Sequence, residues 1–531
     1  MYTLNPVPYA QTSLFGGLFY DYLNQSEHLN SFFRFPATTE GFKKFLAENN
    51  YHQLNRHALS EILMRQSEKV NNNHAATVGH IEILKKANTY TVTTGHQLCL
   101  FTGPLYFVYK IISVIQLAKR LNKEFPDKNF VPVYWMAGED HDAEEINHTY
   151  VYGNKLSWNT AETGSVGKFN TSGIASVIEE LKSLLGNAAY TNDVIELFKN
   201  AYLNHSDLSN ATRYLVNELF GKYGLVTVDG NDADFKKQFR EEFIQDIFHQ
   251  KAFEKVSSGI EKLKSLHYAV QVNPREINCF YMDGHIRARI EKHENGFRVV
   301  QTDIFFSNAE MSELIDVHPE KISPNVVLRP LYQQKILPNI AYCGGPGELA
   351  YWLEYMNMFQ SFGIEYPILV PRNFVSIVDK NIFQKMEKLS LKITDIFSDE
   401  HTLIQHYLAL RGITISLEEE KSQIDKLFTE LTSKAVTIDK TLEASVKAEW
   451  QKAINGLAFV EGKLNKALKS KSETEINQIK TVKSKLFPLQ SPQERIENVS
   501  SYLAKYGISW IDHIYQSTEI LSGHYQVLTE N

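Results

Sequence analysis

Residues 132–148 read P-V-Y-W-M-A-G-E-D-H-D-A-E-E-I-N-H, and this stretch narrows the possible folds more than any other. Phe130, Val131, Val133, Tyr134 and Trp135 form a short run of β-branched and aromatic residues, which predicts a buried strand. The run stops at Gly138 and opens into Glu139, Asp140, His141 and Asp142. Titratable groups at the end of a buried strand are costly to fold around. The carboxyl ends of strands in open α/β sheets are also where ligands bind. The structural alternative is a helix N-terminus, with Asp142 as the cap and Glu145 at the third helical position. Capping needs one carboxylate, and this block holds three with a histidine.

The surrounding pattern fits a parallel sheet. Thr91-Val92-Thr93-Thr94 predicts a strand ending at Gly95. Pro104 suits the first turn of a helix over 105–121, and the strand at 131–135 follows. That is a βαβ unit. Further strands are expected at 225–229 and 368–370, a single helix at 234–253, and a hairpin at 280–286 with Asp283-Gly284 as its turn. Residues up to about 88 read as helices, with Leu54, Ala58, Leu59, Ile62 and Leu63 on one face. Strands alternating with helices predict an α/β doubly wound core.

Beyond Arg372 the composition changes: no proline occurs through Phe487. Ile424, Leu427, Leu431, Ile438, Leu442, Val446, Trp450, Ile454, Leu457, Leu464 and Leu468 step mostly by three and four, the spacing of a coiled coil or helical hairpin. Such a stripe must fold back, pack on the core or pair with a second subunit. The resulting plan is a helical segment at 1–88 and an α/β core at 89–375 with insertions near 150–220 and 265–320. A coiled-coil domain at 376–487 follows, then a C-terminal helical segment at 488–531.

The 531-residue chain carries a net charge of −7, which argues against a nucleic-acid partner. Cys99, Cys279 and Cys343 are widely spaced and form no C-x-x-C pair, so neither a disulfide framework nor a thiolate zinc site is indicated. No apolar run approaches the ~20 residues of a membrane helix, and the first residues lack a signal-peptide pattern. A cytoplasmic protein without a membrane partner is expected.

Three more segments carry candidate chemistry. Gly95-His96-Gln97 with Thr102-Gly103-Pro104 and Lys110 would hold a phosphate or carboxylate near a helix N-terminus, or be a plain turn. Cys343-Gly344-Gly345-Pro346-Gly347-Glu348, with Tyr351, lets backbone approach a ligand. Arg329 and Arg372, each beside a proline, suit carboxylates or phosphates or structural ion pairs. In Pro492-Gln493-Glu494-Arg495-Ile496-Glu497-Asn498, residues Arg495, Asn498 and Tyr502 would share one helical face. That face would bind a nucleotide phosphate and base apart from the main crevice. Alternatively, Arg495 pairs with Glu494 or a core carboxylate.

Together, T-G-H-Q-L-C-L-F-T-G-P-L-Y-F-V-Y-K, the G-E-D-H-D block, N-V-V-L-R-P-L, G-G-P-G-E-L-A-Y-W, P-R-N and P-Q-E-R-I-E-N resemble the BshC family, the cysteine-adding enzymes of bacillithiol biosynthesis. The resemblance spans essentially the whole chain. The family usually has Gly-Gln-Gln where this chain has Gly95-His96-Gln97, and often a small residue at Cys99. The resemblance implies a Rossmann-like core with inserted segments plus a coiled-coil domain that forms a homodimer. It also implies a ligase that joins cysteine to the amine of glucosaminyl malate, with ATP or another nucleotide activating the carboxyl group. Asp140, His141, Asp142 and His96 are then the catalytic candidates, a general base among them. Gly95, Gln97, Thr102, Gly103, Lys110, Glu139, Asn147, Arg329, Gly345, Gly347, Glu348, Tyr351 and Arg372 are the substrate-binding candidates. No metal ligand set is assigned. Two other classes stay open. One is a nucleotidyl transferase-like protein or metal-dependent hydrolase with Asp140, His141 and Asp142 as ligands; the other is a coiled-coil scaffold.

Overall fold

The computed structural model describes residues 2–49, 51, 54–413 and 415–531. They form two compact units, Met1–Ser376 with Ser491–Leu528, and Ile377–Gln490 with the last three residues.

The first unit is built on five parallel strands: Thr89–His96 (β1), Asn129–Met136 (β2), Val226–Asp229 (β3), Asn339–Gly344 (β4) and Ile368–Pro371 (β5). Their order across the sheet is β5-β4-β1-β2-β3, every neighbour parallel. This is a doubly wound sheet whose order reverses between β4 and β1, the place where such folds bind ligands. Every residue of β1 is buried although four of its eight are threonines. The neighbouring strand satisfies three of them: Thr91 and Thr93 donate to Asn339 Oδ1, and Thr94 donates to the Cys343 carbonyl, while Thr89 donates to the Ile83 carbonyl. The helix Tyr106–Glu124 (α1) crosses from β1 to β2 and buries its apolar face on both.

A second, antiparallel sheet carries the wall opposite the strand ends. Its order is 305–307, 296–299, 286–293, 279–283, 322–324. The hairpin forms, but one residue along from the expected Asp-Gly turn: Asp283 still pairs with Ile286, and Gly284-His285 make the turn, with Gly284 at φ +55 in the left-handed region. Glycine adopts that conformation without Cβ strain.

Three expectations fail. The C-terminal segment, expected to be helical, ends in a strand, His524–Glu530. The N-terminal segment opens with a strand, Tyr2–Pro8, not a helix. The single helix expected at 234–253 is three: Ala233–Lys237, Arg240–Ile247 and Lys251–Ser265. Gln250, at φ 54, turns the chain sharply between the last two. Apolar spacing cannot distinguish one helix from several that bury the same face.

In the second unit the apolar stripe folds back on itself. Helices Glu418–Ile438 and Leu442–Lys471 pack as a hairpin around the Asp439–Thr441 turn. Lys421 pairs with Glu461 across it at 2.8 Å, and Trp450 Nε1 donates to Asp425. No residue of either helix is buried. Among the described residues, no helix is long and apolar enough to cross a membrane.

Candidate active site

A cavity of about 670 Å³ opens at the carboxyl ends of β1, β2 and β4. β1 and β2 pair through Gly95–Trp135 and His96–Met136, so the segments that follow them emerge side by side. The Gln97 amide accordingly donates to Asp140 Oδ2 at 2.8 Å and also reaches Glu145. From β4, Gly345 starts the helix Pro346–Leu353 (α2), and Glu348 caps it by accepting the Gly345 N–H at 2.9 Å.

Fourteen of the twenty candidate residues line this cavity: Gly95, His96, Gln97, Lys110, Glu139, Asp140, His141, Arg329, Gly345, Gly347, Glu348, Tyr351, Arg372 and Arg495. The other six do not. Asp142 caps the short helix Ala143–Ile146 by accepting the Glu145 N–H, which is the structural alternative for that residue. Asn147 accepts the Trp158 N–H through its carbonyl. Thr102 and Gly103 lie in a turn where Phe101, Thr102 and Gly103 all have positive φ. A Cβ on Gly103 would come within 2.7 Å of Cys99 Cβ, so only glycine fits. Asn498 holds this turn, donating to the Phe101 and Gly103 carbonyls at 2.8 and 2.6 Å.

The shared helical face of Arg495, Asn498 and Tyr502 does not exist. The chain leaves the helix Gln493–Ile496 at Glu497, and a new helix starts at Ser500. Asn498 is fully buried, Tyr502 stacks on Trp510 at 4.9 Å, and Arg495 is exposed on the main cavity. Glu494 pairs with Arg372, not Arg495, through two bonds of 2.7 and 2.9 Å. Asp140, His141 and Asp142 likewise do not form one ligand set, since Asp142 faces its own helix. Among the described residues no group of three His, Cys, Asp or Glu is arranged to hold a metal ion.

Charges divide into matched and free. Lys110 donates to the Gly95 carbonyl and pairs with Glu348 at 2.8 Å, while the Tyr342 hydroxyl donates to Glu348 at 2.6 Å. Burial lowers the Lys110 ammonium. Burial would raise Glu348, but Lys110 and the Gly345 N–H hold it low. Glu139 is paired with the buried Lys236. Arg372 is saturated by Glu494 and packs on Phe374 at 4.4 Å. Arg289 is paired with Glu291 at 3.4 Å. Among the described residues, the lining cations without a carboxylate partner are Arg275, Arg287, Arg329 and Arg495.

The Asp140 carboxyl is held ionised. Burial would raise Asp140, but hydrogen bonds from Gln97 and from the His141 backbone N–H, with the charge of Arg287, outweigh it, and the carboxyl lies well below its ordinary range. A carboxylate this acidic is a weak general base and a good partner for an ammonium group. Burial drives the His96 imidazole down to about 3, with Lys110 adding to the effect, so the ring is neutral at physiological pH. Its Nε2 is buried without a hydrogen-bond partner among the described residues.

Sequence reasoning missed Arg275, Arg287 and Arg289. Arg287 and Arg289 stand two apart on one strand, and that period places both on one face, a signal that was there to be read.

The chain matches two family models: "Bacillithiol biosynthesis BshC, N-terminal Rossmann-like domain" over residues 3–373 and "Bacillithiol biosynthesis BshC, C-terminal coiled-coil domain" over 375–530. A protein of Flavobacterium psychrophilum named "Putative cysteine ligase BshC" is 39% identical, with 98% of each chain covered. A protein of the same name from Cytophaga hutchinsonii is 38% identical over 98% of this chain and 97% of its own. One from Bacillus thuringiensis is 29% identical over 96% and 98%. With a Rossmann-like parallel sheet, a coiled-coil hairpin and these matches along its whole length, the chain belongs to the BshC family of cysteine ligases, enzymes that form a carbon–nitrogen bond.

Proposed function

We propose that the cavity joins the carboxyl group of cysteine to the amine of glucosaminyl malate, the closing step of bacillithiol biosynthesis. One observation carries this reading: an ionised Asp140 shares a single cavity with four arginines, Arg275, Arg287, Arg329 and Arg495, that have no carboxylate ion pair among the described residues. Guanidinium groups suit the two carboxylates of malate. Asp140 suits the ammonium of an amine substrate, which it would hold and orient before that group loses its proton. Amide formation also needs an activated cysteine carboxyl, which ATP or another nucleotide would supply, and the same arginines suit its phosphates.

The test is the purified protein with ATP, cysteine and glucosaminyl malate, with product detected by mass. Asp140→Asn keeps the shape of the side chain and removes its charge, so turnover should fall by about a hundredfold, the usual consequence of a misplaced reactant. Absence of product from the wild-type protein, or near-normal turnover by the variant, would overturn the reading.

The reading includes a homodimer formed through the helical hairpin. Leu427, Leu431, Val436, Ile438, Phe459 and Val460 stand exposed there, and soluble proteins seldom leave such a patch in water. A second copy of the same hairpin is the occupant that the heptad-like spacing suits.

A further inference from the structure

We propose that Arg287 is a positioning residue that fixes His141 as a hydrogen-bond donor to the ligand, with the imidazole proton on Nε2. Arg287 Nη1 lies 2.8 Å from His141 Nδ1. Arginine has donors and no acceptor, so Nδ1 accepts and the neutral ring carries its proton on the other nitrogen. Asp140 does not compete for Nδ1. Its nearest oxygen is 3.6 Å from that atom and accepts the His141 backbone N–H at 2.8 Å instead.

The guanidinium is held in place. It stacks 4.1 Å over the Phe280 ring, which also packs against the His141 ring at 5.5 Å, and its Nε reaches Ser323 Oγ at 3.3 Å. Met282 and Arg287 are cross-strand partners in a tight hairpin, so the arginine arrives on a stiff element. A ring with an arginine on Nδ1 and a proton on Nε2 has no free lone pair. It cannot take a proton from an attacking amine, but its N–H can bond an oxygen. The ligand atom it fits is a carbonyl, carboxylate or phosphoryl oxygen. This moves His141 from general base to electrophilic donor. The role rests on the ligase reading, whereas the tautomer does not.

The experiment therefore has two arms. Full-length protein labelled with ¹⁵N-histidine gives the tautomer directly, the His141 signal being the one lost in His141→Gln. The expected wild-type state is protonated at Nε2, and Arg287→Met should shift it toward averaging between tautomers. An Nδ1–H ring in the wild type, or an unchanged signal in Arg287→Met, would overturn the proposal whatever the enzyme does. In the activity arm, His141→Gln keeps an N–H donor and lacks a base, so its kcat/KM should stay within about tenfold of wild type. His141→Ala should fall by about 10²–10³, the usual cost of losing one such donor. Equal loss in His141→Gln and His141→Ala would identify a base and sink the donor role. A wild-type protein that forms no product would fail the ligase reading and leave the tautomer to the first arm.

Discussion

Arg495 and Asn498 lie three positions apart and do different work. Asn498 supplies donors to two buried carbonyls in a turn of three left-handed residues, and buried carbonyls left without donors cost about 1–3 kcal/mol each. Asn498→Ala should therefore lose about 2–5 kcal/mol of stability, seen as an earlier midpoint in urea denaturation. A midpoint equal to wild type would show that the turn holds itself. Arg495 is exposed on the cavity, so Arg495→Ala should melt normally and weaken binding of ATP or glucosaminyl malate by about 1.5–3 kcal/mol. Unchanged affinities by calorimetry would remove it from the site. Arg372 and Glu494 are a third kind of case, a saturated pair with side chains 5% and 4% exposed. Glu494→Gln leaves a buried cation uncompensated and should cost about 3–5 kcal/mol, read by thermal melting, with a loss under ~1 kcal/mol counting against the pair.

Among the elements, the irregular strap over 266–278 governs the cavity wall, because it carries Asn273 and Arg275. Buried carboxylates hold both ends. Glu354 accepts the Gln271 N–H at 2.7 Å, and Asp246 accepts the Asn278 N–H at 2.6 Å and its side-chain amide. Burial raises each of these acids to about 7. In the unfolded chain such groups release their protons near pH 4. The folded state thus binds more protons between about pH 4 and 7, and stability falls as pH rises through that window. The contribution is fully present below the unfolded value and gone above the folded one. In Asp246→Asn that group no longer titrates, so the stability gap between wild type and variant should narrow by about 2–3 kcal/mol from pH 5 to pH 8. A gap that stays constant across a pH series of denaturation curves would show that Asp246 titrates normally.

At the scale of the molecule, the hairpin of the second unit is an element with an exposed apolar stripe and no buried residue of its own. Replacing Leu431 and Phe459 together by Asp should convert a dimer to a monomer by light scattering while helicity by circular dichroism is kept. A wild-type protein already at the mass of one chain would rule out the homodimer, and a dimer that survives both charges would place its interface elsewhere.

What the sequence by itself determined was whatever depends on neighbours along the chain. The strand at 131–135 and the acid block after it were legible because burial and its abrupt end are both local. The helix after Pro104, the hairpin turn at Gly284 and the stripe at 424–468 follow from the fixed proline backbone, left-handed glycine and helical spacing in the same way, although the turn is shifted one residue from Asp283-Gly284 to Gly284-His285. Only the tertiary structure decided which of those residues share a site. The strand Asn339–Gly344 is short, and its apolar run reads equally as helix or strand until β1 supplies a partner. Glu494 could have paired with the adjacent Arg495, but 122 positions back along the chain Arg372 offers a buried bidentate partner. Arg287 meets His141 across 146 residues. No periodicity encodes such a pairing, because its strength comes from burial and from the closure of a long loop, which exist only once the chain has folded.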